Sequence, residues 1–437
     1  MRWPSRFIVG LLVVWLGTVY TVGSARGPVP QPAAMRPVLY DPDPNHLWNR
    51  VHETFHARVA ADGTRYGFDT VDPLLWTETK YLLSGASHAR AIALMDEFLK
   101  SNGERLISDP LKGAVFQHDL WAIFDWLAVT SQGDVAARRA LMSRVARVIR
   151  RVALTRKQIE ALPDTYAGAI ASGAFAAAVR VSDQQMILPP DLAIAGGPWI
   201  SIGGTQPIVP QHASELGRSA FIVLWSVPGG SKATFEYLKK LWEHPQPFVP
   251  DDSFQFSRDG EVRVKINPAL PAVPDGTRIA LVRRMLLVDD RGVIVPTNVI
   301  ESIQLRTFRR VQEFAEWQMS RKRLFAGKSG GLRQLGADER GFTTFSAKGM
   351  DAFEGESKRI AAGAPVLQGC AICHQTEFGP AIESIRSLRG VLRPYTFADP
   401  RHERWTRWFT QPIVAAEAKG RTYEWGVLQG LWQSHPR

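Results

Sequence analysis

The sequence contains little cysteine: only two of its 437 residues are Cys, at positions 370 and 373. A framework of several disulfides is therefore excluded, as is a zinc site built from four cysteines. The chain also lacks an acidic surplus, because its net charge at pH 7 is +11. Hydrophobic residues make up 45% of the chain and charged residues 22%, which is typical of folded globular proteins and not of disordered ones.

A short apolar run near the N-terminus is the first targeting signal. Arg2 and Arg6 stand at its start, apolar residues fill positions 7–22, and small residues occupy positions 23–25. This order of charged, hydrophobic and small residues is typical of a secretory signal peptide. We predict a signal peptide over residues 1–25 and a periplasmic or otherwise exported location. An uncleaved segment that anchors the protein to the inner membrane is the alternative.

The two cysteines stand in the pattern Cys370-Ala371-Ile372-Cys373-His374. This CxxCH spacing is the attachment pattern of c-type haem. Two thiols at this spacing reach the two vinyl groups of haem, and the adjacent imidazole binds the iron as its proximal ligand. A disulfide, a dithiol redox pair and half of a zinc site are the alternatives, but no second Cys pair completes a zinc site. The sequence therefore predicts one covalent haem c, with thioether bonds to Cys370 and Cys373 and with His374 on the iron.

With this motif, the C-terminal segment resembles the class I monohaem cytochrome c family. The resemblance covers residues 346–437 and implies a small all-α haem domain. A helical stretch over residues 350–368 leads into the motif, and an amphipathic segment over residues 423–432 would cross it as terminal helices do in that family. The usual family member has a Met downstream as the sixth iron ligand, whereas no Met follows His374 in this chain.

The sixth iron ligand therefore has several candidates. His402 is the first, because Asp399 can cap a helix that begins at Pro400 and carries this histidine. His402 as a solvated surface residue, His435, Met350 and no protein ligand at all are the alternatives. Two protein ligands would suit electron transfer, whereas an open iron face would allow peroxide or a diatomic gas to bind.

The remaining sequence predicts an α+β protein with a helical N-terminal region. Residues 26–44 are rich in Pro and predict a linker, residues 45–165 carry helical patterns, and residues 166–345 carry short β-rich runs that read as mixed α+β. One amphipathic helix is indicated by a stripe of five apolar residues with arginines on its other faces: Leu141, Val145, Val148, Ile149 and Val152. Further predictions are strands at 221–225, 262–266 and 279–288, a turn at 289–292, and helices at 232–242 and 311–324.

One motif in the helical region suggests different chemistry. His52-Glu53-Thr54-Phe55-His56 matches HExxH and resembles the zincin metalloprotease motif, in which two histidines bind zinc and the glutamate activates water. Glu78 is a candidate third ligand. The structural interpretation, which we prefer at this point, places His52 and His56 at the border of an apolar helix stripe formed by Leu47, Val51, Phe55 and Val59.

Export, basic charge and the haem motif together predict an exported monohaem c-type cytochrome that acts in electron transfer or as a redox subunit. The net charge of +11 favours an acidic redox protein as the partner, and nucleic acid is not expected outside the cytoplasm. The alternatives are a haem peroxidase, a gas sensor with an open iron face, an HExxH zinc hydrolase, and a binding module over residues 45–345 with haem as an accessory. The sequence identifies no catalytic residue.

Overall fold

In a computed structural model of the protein, the described residues fall into eleven stretches: 38–59, 65–70, 80–176, 179–181, 184–202, 218–246, 248–250, 264–309, 313–339, 367 and 411–434. All of them belong to one compact unit. Among these residues no helix is long and apolar enough to cross a bilayer. The predicted signal peptide and the first part of the predicted linker lie outside them.

Helices dominate the first part of the chain. They are α1 (Leu47–His56), α2 (Gly85–Lys100), α3 (Pro110–Val129), α4 (Val135–Arg151), α5 (Arg156–Glu160) and α6 (Thr165–Ala171). Aspartates cap three of them, because the side chains of Asp109, Asp134 and Asp164 accept hydrogen bonds from first-turn backbone N–H groups. Later helices are α7 (Gly230–Glu243), α8 (Arg321–Phe325) and α9 (Tyr423–Ser434), and residues 411–419 are also helical.

The apolar stripe predicted for residues 141–152 is confirmed. Four of its residues lie on α4 and the fifth, Val152, directly follows the helix. All five are buried in the helical core. Arginines on the other faces make ion pairs at the surface, such as Arg144 with Asp96 and Arg151 with Glu104. These pairs favour a solvated helix face opposite a core stripe.

Strands dominate the middle of the chain. They are β1 (Arg58–Val59), β2 (Arg65–Tyr66), β3 (Val179–Val181), β4 (Gln184–Met186), β5 (Ile200–Ile202), β6 (Ser219–Ser226), β7 (Phe248–Pro250), β8 (Val264–Ile266), β9 (Arg278–Val288), β10 (Ile294–Thr307), β11 (Glu313–Met319) and β12 (Leu332–Gln334). In the described part of the chain they form a six-stranded antiparallel sheet, in the order β12-β11-β10-β9-β6-β5, and three two-stranded sheets. The prediction of a mixed α+β protein is thus confirmed.

The centre of the large sheet is the hairpin of β9 and β10. Asp289 shapes its turn, because one carboxylate oxygen accepts hydrogen bonds from the backbone N–H groups of Arg291 (3.0 Å) and Val293 (2.8 Å). Gly292 takes a positive φ of 78° in this turn, a conformation that glycine adopts without steric cost. The predicted strand at 279–288 and the predicted turn after it are both confirmed.

Helices and sheet share one core. Its largest cluster joins residues of α1 to α4 and α9 with Ala220, Leu286 and Val288 of the sheet. Helix α3 lies between the other helices and strand β9, and 14 of its 20 residues are buried. Polar side chains that α3 carries in its middle are therefore withdrawn from water.

The helix predicted over residues 311–324 is wrong. Its described residues, 313–324, contain strand β11, which pairs with β10 on one side and β12 on the other, and they become helical only at Arg321, where the short helix α8 (Arg321–Phe325) begins. The pairing of β11 with two neighbours and the burial of Trp317 and Met319 outweigh the local helical pattern.

The end of the chain packs into the helical core. Helix α9 contacts α3 and α4, and its residues Trp425, Leu428 and Trp432 are buried there. Trp425 lies against Trp121 with ring centroids 5.8 Å apart. The crossing of residues 423–432 with residues 350–368 stays a prediction, because the latter lie almost entirely outside the described residues.

Candidate metal centre

The haem residues predicted from the sequence cannot be compared with the fold. Outside the described residues lie all six candidates: Cys370, Cys373, His374, His402, Met350 and His435. The assignment of thioether residues and iron ligands stays a prediction. Along the chain, strand β12 precedes the motif and helical residues 411–419 follow it.

Helix α1 carries the two histidines of the HExxH match. It begins after His46, whose Nδ1 accepts a hydrogen bond from Trp48 N (3.3 Å), and it ends at His56 because Ala57 is extended. His52 and His56 lie one turn apart on one face, with stacked rings whose centroids are 5.3 Å apart. Both histidines are buried, with exposed fractions of 0% and 5%, so their interpretation as ordinary boundary residues is wrong. The predicted stripe is also shorter than expected, because Val59 lies in β1 and is exposed.

His52 is held in one tautomer by a backbone carbonyl. Its Nε2 lies 2.8 Å from Phe68 O. A carbonyl oxygen only accepts, so Nε2 carries the proton, and a neutral ring leaves the lone pair on Nδ1. That Nδ1 is buried, has no hydrogen-bond partner among the described residues, and lies 3.8 Å from Asp119 Oδ2. Two acceptor atoms thus face each other.

Asp119 enters this cluster from α3 and is held by Arg321 of α8. Arg321 Nη2 donates to Asp119 Oδ1 (2.6 Å), and Arg321 Nε donates to Oδ2 (3.0 Å). Arg321 Nη1 donates to the carbonyls of Thr70 (2.8 Å) and Gly67 (3.2 Å), so the segment that presents Phe68 to His52 is tied to the same side chain. This bidentate geometry fixes the position of the carboxylate.

Together, one ligand atom each from His52, His56 and Asp119 lies within 4.8 Å of the others. Two imidazole nitrogens and one carboxylate oxygen form a donor set that suits a divalent transition metal such as zinc. All three side chains are buried, so the cluster is closed to bulk water.

The electrostatic surroundings keep both imidazoles neutral. Burial lowers the pKa of His52 well below its ordinary value of 6.5, and the charge of Arg321 lowers it further, while Asp119 opposes the shift. Burial and then Arg321 lower the pKa of His56 in the same way. Neutral imidazole is the form that binds metal ions.

Glu53, the glutamate of the HExxH match, points elsewhere. Its side chain is about a third exposed, and its Oε1 lies 3.6 Å from Arg65 Nη1. The third ligand suggested by the sequence, Glu78, lies outside the described residues, whereas Asp119 is the carboxylate that meets the histidines. The described geometry therefore does not favour the zincin arrangement, in which this glutamate would activate water at the metal.

A second buried group of charges lies beside the first. His118 Nε2 lies 3.2 Å from Glu301 Oε1, and Arg283 Nε lies 2.8 Å from Glu301 Oε2. Ser219 donates to the same carboxylate at 2.7 Å. Burial alone would raise the pKa of Glu301, but Arg283, His118 and Ser219 lower it to about 2, so this carboxylate is ionised.

A third group ties the end of the chain to α3. Lys419 Nζ donates to Asp125 Oδ2 (2.8 Å) and to Glu424 Oε1 (2.8 Å), and Lys419 is fully buried. Arg218 Nη1 lies 3.5 Å from the same Asp125 oxygen. The ammonium of Lys419 compensates the charge of the two carboxylates, and it ties the segment around Lys419 and Glu424 to α3.

Sequence reasoning identified the two histidines but missed Asp119 and Arg321. The available signal was the polar triplet Gln117-His118-Asp119 inside an otherwise apolar helix, because buried polar residues need partners. Their partners could not be identified, since Asp119 and Arg321 are 202 positions apart.

Comparisons with known proteins add no relative. No family model matches the chain, and neither the curated proteins nor the solved structures contain a match. The functional assignment therefore rests on the residues of this chain and on their geometry.

Proposed function

We propose that the protein is an exported monohaem c-type cytochrome that acts in electron transfer or as a redox subunit outside the cytoplasm. The single observation that carries this proposal is the motif Cys370-Ala371-Ile372-Cys373-His374, which uses both cysteines of the chain. The signal-like residues 1–25 support it independently, because haem is attached to such motifs outside the cytoplasm.

The donor chemistry of the motif fits haem c. Two thiols form the thioether bonds, and the imidazole of His374 supplies the proximal nitrogen. We assign His402 as the sixth ligand, since no Met follows His374. When bound, the haem supplies a one-electron redox couple, and the protein sets its potential through the ligands and their surroundings.

The motif lies in the chain between two described segments of the compact unit, which we call the body. The motif falls between β12 and helical residues 411–419, and both flanking parts belong to the body. Leu332 and Leu335 are buried on one side of the motif, and Lys419 is buried on the other. The chain therefore returns to the body after the motif, which supports a role as a redox subunit.

The partner that we propose is an acidic redox protein. A net charge of +11 favours docking to an anionic surface and speeds the encounter at low salt. Membrane association through an uncleaved N-terminal segment is compatible with this role.

An open iron face is the main alternative. If no side chain occupies the sixth position, peroxide or a diatomic gas can bind, and the protein is a peroxidase or a sensor. The zinc hydrolase is less favoured, because Glu53 pairs with Arg65 and is not one of the three clustered donors.

The test is an optical spectrum of the reduced full chain, expressed with a haem-attachment apparatus, before and after addition of carbon monoxide. We expect a haem that stays with the denatured chain, a two-ligand spectrum, and no shift with the gas. His402→Ala should give a one-ligand spectrum and carbon monoxide binding, because one axial position opens.

Two matched variants serve as controls. His435→Ala should leave the spectrum unchanged, and Cys370→Ser with Cys373→Ser should abolish covalent haem. A colourless wild-type protein would refute the proposal, and a wild-type shift with carbon monoxide would favour the peroxidase or sensor.

A further inference from the structure

We propose that His52, His56 and Asp119 bind one divalent transition-metal ion, of which zinc is the best match, in the body of the protein. This site is separate from the predicted haem and uses none of its residues. It accounts for the HExxH match in a different way from a zincin site, because the third ligand is an aspartate from α3.

The first argument is the direction of the donors. His52 uses Nε2 on Phe68 O and turns the lone pair of Nδ1 toward Asp119 Oδ2, 3.8 Å away. Two acceptors in this arrangement repel each other unless a cation or a proton lies between them. A hydrogen bond through a shared proton would bring the two atoms to about 2.7–2.9 Å, whereas they lie 3.8 Å apart. A metal ion satisfies both atoms.

The second argument is the outer shell of the cluster. Histidines that bind metals commonly donate their other N–H group to a backbone carbonyl, and ligating carboxylates are commonly held by further hydrogen bonds. Phe68 O supplies the first feature and Arg321 supplies the second. Each oxygen of Asp119 has two acceptor sites, so the hydrogen bond from Arg321 Nε leaves Oδ2 with one for the metal.

Tyr40 is the candidate fourth ligand. Structural zinc sites have four donors, and the three residues above supply three of them. The ring of Tyr40 packs edge-to-face on His52 with centroids 5.6 Å apart. Its hydroxyl is buried and has no hydrogen-bond partner among the residues that the structure describes.

The chemistry of the donors selects the metal. Calcium and magnesium prefer oxygen ligands, whereas imidazole nitrogens favour zinc and its neighbours in the first transition row. The burial of all three ligands favours a structural ion that joins α1, α3 and the segment around Phe68, and not one that meets a substrate.

The test measures zinc in the full chain with its haem attached. Protein from zinc-supplemented medium is desalted and analysed for zinc and iron, and a chelator-treated sample is titrated with zinc chloride by calorimetry. We expect about one zinc per chain, counted separately from haem iron. His56→Gln should weaken zinc binding by at least about tenfold, and Tyr40→Phe, which preserves the packing, should weaken it less.

Two controls separate this site from its neighbours. Glu53→Gln should bind zinc as the wild type does, because its carboxylate pairs with Arg65; a zincin site would also keep zinc but would lose hydrolysis. His118→Gln is a buried histidine variant on α3 whose partner is Glu301, and it should keep zinc as well.

Absence of zinc from the wild type in both measurements would overturn the proposal and would indicate a buried water or a proton in its place. Equal zinc binding by the wild type, His56→Gln and Tyr40→Phe would also overturn it. Since iron and haem are measured in the same samples, failure of the zinc site leaves the haem proposal separately testable.

Discussion

Two buried carboxylates on helix α3, those of Asp119 and Asp125, pair with different kinds of cation. Asp119 receives two hydrogen bonds from the guanidinium of Arg321, which also holds the carbonyls of Gly67 and Thr70. Asp125 is held by the ammonium of Lys419 at 2.8 Å and by Arg218 at 3.5 Å, and its Oδ1 has no partner among the described residues.

The two cations have different effects: one orients a carboxylate, and the other attaches a distant segment of the chain to α3. The planar fork of Arg321 fixes the orientation of Asp119, as a metal site needs. Lys419 comes from the chain that follows the haem motif, and its charge ties that chain to the body. Burial raises the pKa of Asp125, and the charges of Lys419 and Arg218 oppose this rise, so the ion group exists only while these partners stay in place.

The largest effect should follow from Asp119→Asn. The change leaves the guanidinium of Arg321 buried without its carboxylate. We expect this to lower the free energy of unfolding by about 3–5 kcal/mol. Urea unfolding of the chelator-treated full chain measures it. The matched control is Asp96→Asn, which removes the half-exposed partner of Arg144 and should cost at most about 1 kcal/mol. Similar losses in both variants would contradict the distinction between buried and surface pairs.

A smaller effect is expected for Lys419→Met. Asp125 loses its nearest cation but keeps Arg218, so the loss should fall near the lower limit for a broken buried pair, about 3 kcal/mol. The same urea experiment checks this value. Adding Glu424→Gln should recover part of the loss, because Glu424 is the second carboxylate that loses the ammonium of Lys419. A double variant that is less stable than both single variants would contradict this account.

The smallest effect concerns pH. Burial and Arg321 lower the pKa values of His52 and His56, so the folded protein keeps both rings neutral while the unfolded chain protonates them near pH 6.5. Unfolding then takes up protons below about pH 6.5, and stability falls as the pH decreases from there. Each histidine contributes a slope of up to about 1.4 kcal/mol per pH unit.

Unfolding curves of metal-free wild type and His56→Gln between pH 7.5 and about pH 5 isolate this contribution. The stability of the variant should depend less steeply on pH, because one of the two rings is gone, while the carboxylates common to both proteins cancel. Parallel curves would show that His56 is protonated in the folded state.

Local patterns predicted the local structure well. The stripe on α4 and the hairpin after residue 279 depend on neighbours within a few positions, and both were predicted from sequence. Strand β11 was not, because its pairing with β10 and β12 determines its structure. A helical pattern depends on residues a few positions apart, so it contains no information about pairing with strands that are distant in sequence.

The candidate site was only half accessible to sequence reasoning. Spacing alone placed His52 and His56 one turn apart on a helix, but their burial and their third partner depend on residues from α3 and α8. Lys419 and Asp125 are 294 positions apart, and no local pattern joins them. The CxxCH motif is the reverse case, because the residues that carry its proposed chemistry lie within five consecutive positions.

The packing of α9 has a consequence for biosynthesis. Trp425, Leu428 and Trp432 enter the core from helix α9, which follows residues 370–374 in the chain and is therefore synthesised after them. A product that terminates before residue 411 would leave Trp121 uncovered and Asp125 without its lysine. The helical core is therefore completed only after residues 370–374 have been synthesised, and prematurely ended chains would present apolar surface to proteases.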